Sequence, residues 1–133
     1  MVWTTTLYAG LLGLVFAALS GQVMWWRFST GVVAGDAGDE SKMAMIRAQA
    51  NFFEYVPICL VLLMLLELNG LAAVWSHALG AGLVVARVLH GVGMTRTLGI
   101  SFGRRVGTAL TMAVLLAAAT MCLVQAGMKV SAG

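Results

Sequence analysis

An all-α, integral membrane four-helix bundle is the fold class this sequence predicts, and three observations carry it. The 133 residues are 61% hydrophobic and only 10% charged, where a soluble domain carries roughly 25% charged residues. The apolar residues fall into four segments, each long enough to cross about 30 Å of hydrocarbon. None of the four alternates polar and apolar residues as a barrel strand does, and inside a bilayer each backbone amide must find its partner within its own segment, which selects helices. The length suits a single domain over residues 1–133. A mean hydropathy of +0.96 with one proline excludes a disordered tail, a collagen-like repeat and a disulfide scaffold.

The first segment, Trp3 to Trp26, has no basic stretch before it and no Ala-x-Ala site after it, so it reads as a retained helix and not as a signal peptide. Trp3 at one end and Trp25 and Trp26 at the other lie about 35 Å apart at 1.5 Å per residue, a spacing that suits interfacial anchors. The connection Phe28 to Ser41 mixes glycines with Asp36, Asp39 and Glu40; it reads as a mobile polar linker that ends in a helix start and is placed to act as a lid. The second segment is Met43 to Leu68, with Glu67 expected in solvent at its far end. Asn69-Gly70 then turns the chain into the third segment, Leu71 to Gly93, anchored by Trp75 and carrying His77 as a polar residue near its start. The fourth segment, Phe102 to Gly127, offers Gly103-x-x-x-Gly107 and Ala113-x-x-x-Ala117 as small faces for close packing.

Arg27, Lys42, Arg96, Arg104 and Arg105 all lie in or beside the first and third connections, and the second connection has no basic residue. The positive-inside rule therefore predicts cytoplasmic loops 1-2 and 3-4 and both termini on the opposite side, with Lys129 as a contrary vote. The net charge of +3 does not point to nucleic acid, because the eight Lys and Arg residues form no basic stripe. Cys59 and Cys122 have no neighbours at metal-ligand spacing and read as small buried hydrophobes, so no metal is expected. Phosphate-loop, His-Glu-x-x-His and serine-elbow patterns do not occur.

Ionisable residues inside a spanning helix cost several kcal/mol unless paired or hydrated, which makes them candidates for function. In the second segment Arg47, Asn51 and Glu54 recur at i, i+4 and i+7, within about a 60° arc of one helix face. The third segment adds Arg87 and His90, one turn apart, and the fourth opens with Arg104 and Arg105, followed by Thr108 and Thr111. Met94 is placed to line an acceptor pocket beside them. Three or four guanidinium groups against one carboxylate call for an anionic ligand. The plainer alternative is that Glu54 neutralises Arg47 or Arg87 across helices.

The stretch Arg47-Ala-Gln-Ala-Asn51-Phe-Phe-Glu54-Tyr55-Val-Pro57 resembles the second-helix signature of the MAPEG family, the membrane-associated proteins in eicosanoid and glutathione metabolism. Ala86-Arg87-Val88-Leu89-His90 and Gly21-Gln22-Val23 are similar to stretches of its third and first helices. The resemblance implies a homotrimer of bacterial inner-membrane type, with glutathione sites between subunits at the cytoplasmic boundary. It implies that Arg47 and Arg87 take the glutathione carboxylates, Glu54 the ammonium and Asn51 a backbone amide, with His90 beside them. An arginine at the start of the fourth helix stabilises the thiolate; Arg104 is the first candidate and Arg105 the second. Met24 stands where many members have arginine, with Arg27 the nearest basic residue. Met94 and Thr108 stand where tyrosines are usual. The resemblance therefore implies glutathione but no particular acceptor.

The expected activity is a glutathione transferase, or a peroxidase, acting on lipophilic electrophiles that enter from the bilayer. The alternatives are a non-enzymatic lipid-binding or scaffold member of the same family, and a channel. The channel is disfavoured because the second segment has no polar residue between Pro57 and Leu66.

Overall fold

The computed structural model describes residues 1–96 and 99–131. Among them the chain forms four helices and no strand: α1 (Trp3–Thr30), α2 (Glu40–Leu68), α3 (Ala73–Arg96) and α4 (Phe102–Ser131). All four are long and apolar enough to cross a membrane, so the architecture is the all-α membrane bundle that the composition predicts.

Four of the eight helix ends run about a turn beyond the predicted apolar span, while α3 starts two residues later than predicted, because caps and not hydrophobicity decide where a helix stops. At the end of α1, Gly31 takes a left-handed φ of 72° and returns its N–H to the Arg27 carbonyl at 2.9 Å, a common glycine stop. At the start of α2, Asp39 Oδ1 accepts from the Ser41 N–H at 2.8 Å and from the Ser41 hydroxyl at 2.6 Å, the usual task of an aspartate N-cap.

The helices pack around Leu12, Leu19, Phe52, Val56, Cys59 and Leu83, with the Phe16 and Phe52 rings stacked at 5.4 Å. Outside, Leu14 and Leu123 are 71% and 75% exposed, an arrangement that water penalises and hydrocarbon accepts. α3 and α4 make the closest pairing. A Cβ on Gly103 would stand 2.7 Å from the Leu89 carbonyl oxygen, and one on Gly107 would stand 2.6 Å from that of Ala86. The glycine face of α4 is thus spent on α3, while Ala113 and Ala117 line a groove beside Trp75.

Two expectations are corrected. Trp25 is 74% exposed but Trp26 is only 8% exposed, so one member of the pair faces outward and the other packs inward. Glu67 is not simply solvated. Its two oxygens accept from the N–H groups of Thr4 and Thr5 at 2.9 and 2.8 Å, and from the Thr5 hydroxyl at 2.7 Å. α1 has no side-chain cap of its own, and a carboxylate from α2 supplies one, at the helix end where the macrodipole favours negative charge.

Candidate functional site

The start of α2, the end of α3 and the start of α4 meet at one end of the bundle, around a cleft of about 360 Å³. α2 gives it the stripe Glu40, Met43, Ala44, Arg47 and Asn51; the steps of 3, 1, 3 and 4 residues keep all five on one helical face. His90 and Met94, four residues apart on α3, form a second wall, and Arg104 from the first turn of α4 forms a third. Asp36 reaches the cleft from the connection before α2. Arg47, Asn51, His90 and Arg104 are therefore brought together as expected candidates, and Met94 lines the same space.

Arg87 stands one layer behind. It is 1% exposed, its Nη2 donates to Asn51 Oδ1 at 3.0 Å, and its guanidinium carbon lies 5.9 Å from the centre of the Phe52 ring. Its Nε is buried without a hydrogen-bond partner among the described residues, as is His90 Nδ1. Glu54 lies off the cleft on the outer face of α2. Its Oε1 is 3.3 Å from Arg47 Nη2, and both side chains are about half exposed. That pair runs along one helix rather than across two. Arg105 is exposed and does not line the cleft, and the hydroxyls of Thr108 and Thr111 are turned back onto the carbonyls of Arg104 and Gly107.

The charge of the cleft differs from the cationic surplus expected. With Glu54 and Arg87 off its walls and Asp36 and Glu40 on them, two guanidinium groups face two carboxylates. Glu40 was legible, seven residues before Arg47 on the same face. Asp36 was not, because a loop has no periodicity to aim it. Next to them, hydrogen bonds from the Ser41 hydroxyl and N–H hold the Asp39 carboxyl below the ordinary aspartate value, so the cap at the cleft's edge is ionised at neutral pH. Among the described residues no cluster of His, Cys, Asp and Glu is arranged to hold a metal. The balanced donors and acceptors suit a small zwitterion.

The chain matches the MAPEG family over residues 5–124. It is 34% identical over 86 residues to the Inner membrane protein YecN of Escherichia coli strain K12, an alignment covering 65% of this chain and 66% of that protein. The same values hold for YecN of Escherichia coli O6:H1 strain CFT073. The match thus spans just under two thirds of the length of these relatives. The family match takes in nearly all of the four helices, including every wall of the cleft, and the chain belongs to the MAPEG family.

Proposed function

We propose that this chain is a membrane-bound glutathione transferase that joins the glutathione thiol to lipophilic electrophiles drawn from the bilayer. The observation that carries the reading is the convergence of Arg47, Asn51, His90 and Arg104, from three helices, on one cleft at an end of the bundle. The donor set fits the tripeptide. Two guanidinium groups suit its two carboxylates, the Asn51 amide suits a peptide group, and the unpartnered His90 Nδ1 offers a further contact. Glu54, exposed beside Arg47, takes the ammonium at a site completed by a neighbouring copy in a homotrimer. The cleft volume falls in the roughly 300–1,000 Å³ range of small-molecule sites. That YecN is an inner membrane protein supports an inner-membrane location here.

Bound glutathione supplies the sulfur nucleophile. A free thiol near pKa 8.5 is mostly protonated at neutral pH, and Arg104, on the cleft wall, lowers that value by about a unit by favouring the thiolate. Arg105 lies off the cleft and has no such part. Placing a water-borne thiol and a membrane-dissolved acceptor at one boundary turns a two-phase encounter into an oriented one.

The test is conjugation of chlorodinitrobenzene by the purified protein, in which a sulfur–carbon bond forms and chloride leaves with the bonding pair. Arg104→Leu is expected to cut thiolate absorbance near neutral pH, and turnover with it, by about tenfold, the equivalent of one pKa unit. Glutathione that fails to bind at millimolar concentration, or turnover indifferent to Arg104, overturns the proposal; binding without turnover identifies the scaffold member instead.

A further inference from the structure

Lys129 has no part in the cleft and sits at the opposite end of the bundle, in the last turn of α4. There α2 and α4 leave a groove of about 660 Å³ between them. Leu62, Leu65 and Leu123 line its body, and Asn69, Gln125 and Lys129 also line it. Asn69 and Lys129 mark the end where α2 and α4 stop. No acidic residue lines it among the described residues. Lys129 Nζ donates to Asn69 Oδ1 at 2.8 Å, which fixes the cation at the groove's mouth and leaves two of its three N–H donors free for another acceptor.

We propose that this groove binds an anionic phospholipid, with one acyl chain along the leucines and the phosphate at Lys129. Three features select a lipid over other occupants. From Leu62 to Asn69 the α2 wall rises about 10 Å, and its polar end coincides with the end of the spanning helix, so the polarity of the groove runs as a lipid's does, apolar toward the bilayer centre and polar at its boundary. The body is open on the outer surface of the chain, since Leu65 and Leu123 are exposed. The one charge is positive, held by a hydrogen bond and not neutralised by a carboxylate, which complements a headgroup of net negative charge better than one whose phosphate is already balanced by a cation of its own. A basic residue on the side where the positive-inside rule disfavours one thus acquires a ligand of its own.

The experiment is native mass spectrometry of the detergent-purified protein titrated with phosphatidylglycerol or phosphatidylcholine. Retention of phosphatidylglycerol over phosphatidylcholine is expected. Lys129→Gln, which keeps a donor for Asn69 but loses the charge, is expected to weaken phosphatidylglycerol retention about fivefold, the equivalent of about 1 kcal/mol for one basic residue at an anionic surface. Lys129→Arg retains binding, and Ala119→Trp, which fills the groove, abolishes it for both lipids. Equal retention of the two lipids, or indifference to Lys129→Gln in protein that still elutes as the wild type does, overturns the proposal. Oxidative cross-linking of Cys122 to Cys122 between copies also overturns it: Cys122 lines this groove and Cys59 is buried in the core, so that product would show a second copy occupying the site.

Discussion

Glu67 and Asp39 are both helix caps, and they differ in how far away the sequence must look to find their partners. Asp39 caps residues two positions on, within the range over which a helix start can be read. Glu67 caps residues more than sixty positions back, so its role follows only from the antiparallel packing of α1 on α2. Glu67→Ala leaves the first amides of α1 without that acceptor, and the expected cost is about 0.5–2 kcal/mol, as for the loss of a helix N-terminal cap. Faster amide exchange at Thr4 and Thr5, with α3 and α4 unchanged, is the measurement that checks it. Asp39 contributes in a pH-dependent way. Its native carboxyl sits below the ordinary value, so its stabilisation is complete above the unfolded pKa of about 3.9 and is lost as the pH falls through the lower native one. Asp39→Asn caps without titrating. Its melting temperature is therefore expected to fall less than that of the wild type as a sample is acidified from neutrality to below that window.

At the scale of whole helices, the four spans were readable because hydrocarbon thickness and composition determine them together, whereas their angular placement was readable only in part. Arg47, Asn51 and Glu54 share an arc in sequence, yet Asn51 turns toward Arg87 and the cleft while Glu54 stands outside; a 60° arc is wide enough to straddle a helix edge. Gly103 and Gly107 were readable as a packing face, and their partner became clear only when α3 came within contact of them. A methyl at Gly107 meets the Ala86 carbonyl oxygen and also the backbone N and Cβ of His90, both at 2.7 Å. Gly107→Ala therefore has to push α3 from α4, at about 1–3 kcal/mol for overpacking, and to displace His90 from the cleft with it. Gly10 has open space around its added methyl, so Gly10→Ala is the matched substitution expected to leave the detergent melting temperature unchanged or slightly raised.

Considered as one molecule, the protein keeps its apolar surface outside and buries a cation inside, and Arg87 is where stability and the proposed function separate. Its side chain is 1% exposed and has Asn51 as a neutral partner, the Phe52 ring nearby and no ion pair among the described residues. A buried charge so weakly compensated contributes little to stability, and an apolar residue of similar length is often neutral or stabilising in its place. Arg87→Met is accordingly expected to melt at the wild-type temperature or a few degrees above it. The same substitution removes the donor that orients the Asn51 amide at the cleft wall, so the glutathione KM is expected to rise about tenfold, the equivalent of one lost charge-assisted hydrogen bond. The kcat at saturation is expected to change far less, because Arg104, on α4, is untouched. Thermal melting and saturation kinetics on one preparation separate the two effects. A melting temperature that drops together with kcat would mean that Arg87 holds the bundle together and has no special relation to the cleft in front of it.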